Sequence, residues 1–178
     1  RWLKARIAPA QANAPLLSCF GLHEWAMLHR APGDPPPPSM FQDLPLRVPQ
    51  ETINAVVEQR GVRCTHFDAM RFFSPSGILH SRQHLSERSH LTENPACLHA
   101  AMDLFNVALK MAPLVPAALL ADALELALDA RGIDVRASPY DASAFPGLDP
   151  IPIETAEGRR QYAAAQRELM APSRPPPQ

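Results

Sequence analysis

Each of the three cysteines in this chain is followed by a histidine within four residues. The stretches are CFGLHEWAM (19–27), CTHFD (64–68) and CLHAAMD (97–103), and each of them also contains a carboxylate. Thiolates, imidazoles and carboxylates are the protein ligands of zinc and iron(II), and a histidine beside a carboxylate also serves general acid–base catalysis. The pattern therefore predicts one polar site built from three distant segments, either as a metal centre or as a metal-free histidine cluster.

Within this site the sequence indicates two roles. The predicted metal ligands are the histidines of the three segments and one thiol: His23, His66, His99 and Cys64. The predicted catalytic acids and bases are the neighbouring carboxylates: Glu24, Asp68 and Asp103. None of the spacings is C-x2-C or H-E-x-x-H, the spacings that would identify a zinc site directly. Two expectations for the cofactor therefore stay open: a divalent metal, zinc or iron, or no cofactor. The alternative is that these side chains are core residues, as buried cysteines often are.

Regular secondary structure would bring these side chains to shared faces. In a helix over 18–30, Cys19 and His23 are four residues apart and project from one side. His99 and Asp103 have the same spacing in a helix over 94–113. In an extended segment over 62–73, alternation places Cys64, His66 and Asp68 on one face.

A second polar stretch, DVRASPYD (134–141), surrounds a proline turn after an apolar helix. One interpretation is an ordinary surface loop. The other is a functional group in which Arg136 binds an anion, Tyr140 stacks or hydrogen-bonds, and Asp141 acts as a general base.

The remaining pattern predicts a mainly α protein, with a single helical domain over 1–170 and a disordered Pro-rich tail over 171–178. Helices are expected over 18–30, 49–61, 94–113, 116–131 and 154–171, with the fourth ending at Arg131-Gly132. Short extended segments are expected at 62–73 and 134–138. The 21 prolines predict irregular loops at 31–40 and 138–154. The segment 74–93 is expected to be a loop or a lid over the site.

Composition limits the function classes. The 178 residues are 46% hydrophobic and carry a formal net charge of −1, which suits one domain with its own core and argues against strong nonspecific binding to DNA. No P-loop, G-x-G-x-x-G or G-x-S-x-G motif is present. Three cysteines and no apolar run of membrane-spanning length favour a cytoplasmic protein with reduced thiols and no membrane partner.

Four of these stretches together resemble an uncharacterised bacterial family commonly labelled 3-methyladenine DNA glycosylase: CFGLHEWAM, RCTHFDAMRFF, NPACLHAAMDLF and DVRASPYD. The similarity covers residues 1 to about 170 and corresponds to the C-terminal part of the longer family members. The resemblance implies hydrolysis of the N-glycosidic bond of alkylated bases, with DNA or a nucleobase-like molecule as partner. Aromatic residues would then stack a flipped base, and the candidates are Trp25, Phe72, Phe73 and Tyr140.

Three hypotheses therefore stand side by side. The first is a hydrolase whose pocket holds the three histidines and their acids, with or without a metal. The second is a metal-free glycosylase-like or base-binding pocket formed by Arg136, Tyr140 and Asp141. The third is a non-enzymatic helical interaction module in which the buried polar cluster only specifies packing. The sequence predicts convergence of the three histidine segments in each case.

Overall fold

Helices make up most of the residues that this computed structural model describes, which are 13–35, 43–82 and 94–170. The α-helices are α1 (Leu22–Leu28), α2 (Gln50–Arg60), α3 (Pro75–Ile78), α4 (Leu98–Lys110), α5 (Ala117–Ala137) and α6 (Ala156–Met170). Short 3-10 helices span Phe67–Phe72 and Ala112–Leu114. Within the described ranges, β pairing is confined to two isolated bridges, Leu46 with Tyr140 and Val62 with Ser81. The predicted mainly α fold class with short extended segments is confirmed.

Helix α1 lies at the centre of the core, and all seven of its residues are buried. It begins at Leu22 rather than at residue 18, because Phe20 and Gly21 both adopt positive φ angles, 50° and 66°. Cys19 therefore lies outside the helix, and the predicted pairing of Cys19 with His23 on one helical face is wrong.

Trp25 is the largest fully buried side chain of α1. Its indole Nε1 donates a hydrogen bond of 2.9 Å to the carbonyl oxygen of Ala137, the last residue of α5. Ile53 and Val57 of α2 and Tyr162 of α6 belong to the same core cluster. The centre of the core therefore fixes α1 against the C-terminal end of α5.

Helix α5 passes through Gly132 and continues to Ala137, so the predicted stop at Arg131-Gly132 and the predicted extended segment 134–138 are both wrong. The reason is visible in the buried face of the helix, which is formed by Ala127, Ala130, Asp134 and Ala137. These positions follow the helical period, and their burial outweighs the roughly 1 kcal/mol by which glycine disfavours a helix interior. The extension carries Asp134 into the core.

The segment 62–73 is extended only as far as His66, after which the chain forms the 3-10 helix. Ala69 and Phe73 are buried, whereas Arg71 is exposed. A strand would place Arg71 on the same face as those two residues, and the helical turn avoids burying its charge.

Other boundaries differ less. Helices α2 and α6 lie within a few residues of their predicted ranges, and Gly61 ends α2 with a φ of 67°. Helix α4 starts at Leu98 rather than at residue 94, and the Asn94 side chain binds both backbone polar groups of Leu16 as well as the Ala96 amide. The predicted loop 74–93 contains α3. Residues 83–93 of this loop, residues 36–40 of the Pro-rich loop and the 171–178 tail lie outside the described ranges. None of the described helices combines the length and apolar character needed to cross a membrane.

Candidate metal centre

The three predicted histidines lie together. The ring centroids of His23 and His99 are 4.3 Å apart with the planes at 61°, and His66 stacks on His99 with centroids 4.7 Å apart and planes at 7°. Helix α1 supplies His23, the extended residues before the 3-10 helix supply His66, and the first turn of α4 supplies His99. The predicted convergence of the three segments is confirmed.

Two thiols lie beside His99. Its Nδ1 is 4.0 Å from the Sγ of Cys64 and 3.8 Å from the Sγ of Cys97. The ligand atoms of His23, Cys64 and His99 all lie within 4.8 Å of one another. Around a tetrahedral zinc, nitrogen and sulfur ligands are about 3.5 Å apart. Small side-chain rotations would therefore let these three residues share one ion.

A buried carboxylate that sequence reasoning did not select lies on the other side of His23. Asp134 Oδ1 is 3.1 Å from His23 Nε2, and Glu24 Oε1 is 4.0 Å from the same nitrogen. Arg131 joins the two acids, since its Nη1 donates to Glu24 at 3.1 Å and to Asp134 at 2.8 Å. The sequence signal that could have revealed Asp134 is its place in the alanine-lined face of α5.

The charges of this network shift its pKa values in different directions. Burial alone would raise the pKa of Asp134, but His23, His99 and Arg131 outweigh it and lower that pKa to about 2. Burial and the charge of Asp134 raise the pKa of Glu24. Burial opposes protonation of His23, yet Asp134 raises its pKa, whereas burial and the charge of His23 hold the pKa of His99 well below its usual value. His99 is therefore a neutral imidazole, and its lone pair can bind a metal.

Two buried atoms at the centre of this network depend on each other. His23 Nε2 and Asp134 Oδ1 are 3.1 Å apart and form an ion pair, although their alignment is poor for a hydrogen bond. Each group therefore compensates the charge of the other in the buried interior, and Asp134 fixes the orientation of the His23 ring.

The other predicted acids are placed differently. Asp103 Oδ2 is 3.9 Å from His66 Nε2, and its side chain is 30% exposed, so Asp103 lies at the rim of the cluster. Asp68 is exposed on the 3-10 helix and does not share a strand face with Cys64 and His66, so the predicted alignment of these three side chains is wrong.

The second predicted group is not assembled as one site. The Arg136 side chain donates to the Asp149 carbonyl oxygen, and the Asp141 carboxylate accepts from the Ser143 backbone and hydroxyl, so the side-chain hydrogen bonds of both residues go to the loop that follows α5. Tyr140 is buried, and burial together with the charge of Glu24 raises its pKa to about 12. Tyr140 therefore stays neutral close to the acids of the cluster.

Three of the four aromatic residues predicted to stack a base are too buried to contact one. Trp25, Phe73 and Tyr140 are buried in the core, and of the four only Phe72 is exposed, at 40%. The guanidinium of Arg71 lies over the Phe72 ring, 4.7 Å from its centroid. An exposed aromatic ring beside a cation is the one part of this expectation that the surface offers.

Two overlapping sets of candidate ligands thus share His23: one with Cys64 and His99, the other with Glu24 and Asp134. Comparison of the chain with protein families, with curated proteins and with solved structures finds no match. The function is therefore inferred from the chemistry of the site.

Proposed function

We propose that the protein is a metal-dependent hydrolase in which His23, Cys64 and His99 bind a divalent metal ion of the zinc class. The observation that carries this proposal is the convergence of His23, Cys64 and His99, whose ligand atoms lie within 4.8 Å of one another. A divalent ion there would use the lone pair of the neutral His99 imidazole and the thiolate of Cys64.

Each neighbour of the ligands has a role in this proposal. Zinc held by three protein ligands keeps an open position and lowers the pKa of a bound water to about 7. Glu24 is the general base, because its carboxylate lies 4.0 Å from His23 Nε2 and burial raises its pKa above the ordinary value of a carboxyl group. Asp134 orients His23, in the way that a carboxylate behind a ligating histidine fixes its ring.

The burial of the cluster limits how a substrate reaches it. His23, Glu24 and Asp134 are almost fully buried, while Asp103 and Arg131 keep 30% and 38% of their side chains exposed. Asp103 and Arg131 are therefore cluster residues that a substrate can contact from solvent. In this proposal the group presented to them is a flipped nucleobase. The resemblance to the family labelled 3-methyladenine DNA glycosylase points to the N-glycosidic bond of an alkylated base as the bond that is cleaved, in a cytoplasmic DNA-repair protein.

A second candidate function is a non-enzymatic helical interaction module. The observation that favours it is the same burial, because a closed polar cluster that never meets a substrate would specify packing or hold a structural metal.

Elemental analysis of protein purified without a His-tag, combined with release of free 3-methyladenine from alkylated DNA, separates these functions. The proposal expects stoichiometric metal and hydrolysis that a chelator abolishes. Metal without hydrolysis would support the interaction module, and base release without metal would support a metal-free glycosylase. Protein with neither metal nor activity would contradict the hydrolase proposal.

Variants sharpen the test. Glu24→Gln keeps the shape of the side chain but removes the base, so we expect retained metal and about 10²–10⁴-fold lower activity. Glu125→Gln is the matched control, because Glu125 is exposed on α5. His99→Ala should remove the metal itself. Equal activity of the Glu24→Gln and Glu125→Gln variants would show that Glu24 is not the base.

A further inference from the structure

A second group of candidate ligands lies at the other end of α1 and shares no residue with the first. It consists of His29, which follows α1 directly, Glu58 in the last turn of α2, and His80 after α3. One ligand atom from each lies within 4.8 Å of the others, and the rings of His29 and His80 are 4.9 Å apart at 59°. His23 and His29 are six residues apart, about 9 Å along a helix, so the two groups cannot share one ion.

The hydrogen bonds around Ser76 decide which nitrogen of His29 carries its proton. The Ser76 hydroxyl contacts Asp34, and this bond together with the Ala31 amide lowers the pKa of Asp34, which is therefore an acceptor. Ser76 has one proton and donates it to Asp34. Its oxygen must then accept from His29 Nδ1 at 2.6 Å and from the Ala31 amide at 3.2 Å. His29 Nδ1 is consequently a donor.

A neutral imidazole protonated at Nδ1 presents a lone pair at Nε2. In this structure His29 Nε2 faces a carboxylate oxygen of Glu58 at 3.1 Å. This contact needs a positive charge, which an imidazolium supplies as well as a metal ion does, and the third ligand atom, on His80, is the observation that points to a metal. Nitrogen and oxygen ligands of a tetrahedral zinc are about 3.3 Å apart, close to the observed separation.

The surroundings also suit a metal site that is open to solvent. The His29 side chain is 1% exposed and held from behind by Ser76, as ligating histidines commonly are, whereas the Glu58 side chain is 53% exposed. The close approach of α3 to α1 fixes this support, because a Cβ on Gly77 would lie 2.3 Å from the Ala26 carbonyl oxygen. We propose that His29, Glu58 and His80 bind a second divalent metal ion, with zinc favoured by the two imidazoles and one carboxylate.

The same hydrogen bonds argue against Ser76 as a nucleophile. Ser76 is buried and gives its proton to Asp34 rather than to His29, which is the reverse of what a Ser-His-acid triad requires.

Zinc titration of tag-free, metal-stripped full-length chain by calorimetry tests this site separately from the first. Cys64→Ser removes the thiolate of the first site, so the Cys64→Ser protein should bind one remaining equivalent. Adding Glu58→Gln to it should weaken that equivalent at least about 10-fold. Glu51→Gln, an exposed change in the first turn of the same helix, is the matched control and should leave it unchanged.

Cobalt(II) provides a second readout, because only the Cys64 site can show a thiolate-to-cobalt absorption band. Wild-type protein should bind two equivalents, one with this band, and the Glu58→Gln single variant should keep the band and lose the other equivalent. Binding that is equal in the Cys64→Ser protein with and without Glu58→Gln would overturn the second site and leave a protonated His29 paired with Glu58. Absence of the thiolate band alone would instead contradict metal binding at the first site. The experiment therefore distinguishes failure of the first site from failure of the second.

Discussion

The continuity of α5 through Gly132 decides whether Asp134 reaches the metal centre, and one substitution tests it. Gly132 is in the helix interior, outside the left-handed region of φ, and a Cβ built on it meets no atom within 4 Å. Gly132→Ala therefore adds a methyl group without a clash. It also removes the conformational freedom that glycine has in the unfolded chain.

The expected sign is a gain in stability. Alanine is favoured over glycine in a helix interior by about 0.8–1.0 kcal/mol, so the free energy of unfolding should rise by about 1 kcal/mol. For a chain of this size the thermal midpoint should rise by about 2–4 °C. If α5 instead ended at Arg131 with Gly132 in the left-handed conformation of a helix cap, alanine would cost about 1–2 kcal/mol.

Urea unfolding followed by circular dichroism measures this difference, and Gly77→Ala is the matched control. At Gly77 a Cβ would clash with the Ala26 carbonyl oxygen, so the same chemical change should lower the free energy of unfolding by about 1–3 kcal/mol. A loss of stability in the Gly132→Ala protein would refute the continuous helix. The placement of Asp134 behind His23 would then fail with it.

Three further outcomes are expected from contacts outside the metal centre. Trp25→Phe leaves the buried carbonyl oxygen of Ala137 without its indole donor, so the free energy of unfolding in urea should fall by about 1–3 kcal/mol; an unchanged midpoint would contradict this hydrogen bond. Arg47 donates two hydrogen bonds, of 2.6 and 2.9 Å, to Glu154. A double-mutant cycle with alanine at both positions should therefore give a coupling free energy of about 0.5–3 kcal/mol. Additive losses in the free energy of unfolding would show that the pair contributes nothing. Burial raises the pKa of the Cys19 thiol. Iodoacetamide at pH 8 should therefore modify Cys19 at least about 10-fold more slowly in the folded chain than in the urea-unfolded chain. Peptide mass spectrometry measures both rates.

Short-range spacing predicted part of the site correctly. His99 and Asp103 lie in one helix as their four-residue spacing indicated, and His66 reaches Asp103 across the gap between two segments. Cys64 and His66, two residues apart in an extended stretch, are both buried. The shared helix of His99 and Asp103 depends on local periodicity, which a sequence displays directly, whereas the contact of His66 with Asp103 depends on tertiary packing.

Apart from the convergence of the three histidine segments, the features that depend on tertiary packing were not predicted. The positive φ angles of Phe20 and Gly21 displace Cys19 from α1, and only the docking of the neighbouring segments requires them. The glycine at 132 indicated a helix stop, but the burial of the alanine face overrode this local signal. The sequence therefore predicted an extended segment at Asp134, although the helical spacing of Ala127, Ala130 and Ala137 already marked its face.

The second ligand group illustrates the same limit. His29, Glu58 and His80 come from the ends of three different elements, and no regular spacing relates them in the sequence. Their meeting depends on the close contact between α3 and α1 at Gly77. A pattern search restricted to neighbouring positions cannot detect such a group. The hydrogen bonds of the folded chain reveal it.

Helix α1 connects both proposed metal sites to the stability of the core. Its seven residues are fewer than the roughly 12–15 that an isolated helix needs, so it is held in place by tertiary contacts. It also buries His23 and Glu24, which costs free energy unless their charges are compensated. In the proposed arrangement one ion engages His23 in its first turn and another engages His29 just beyond its end. Since metal binding contributes directly to folding free energy, ions at both ends would stabilise the helix whose position assembles each site.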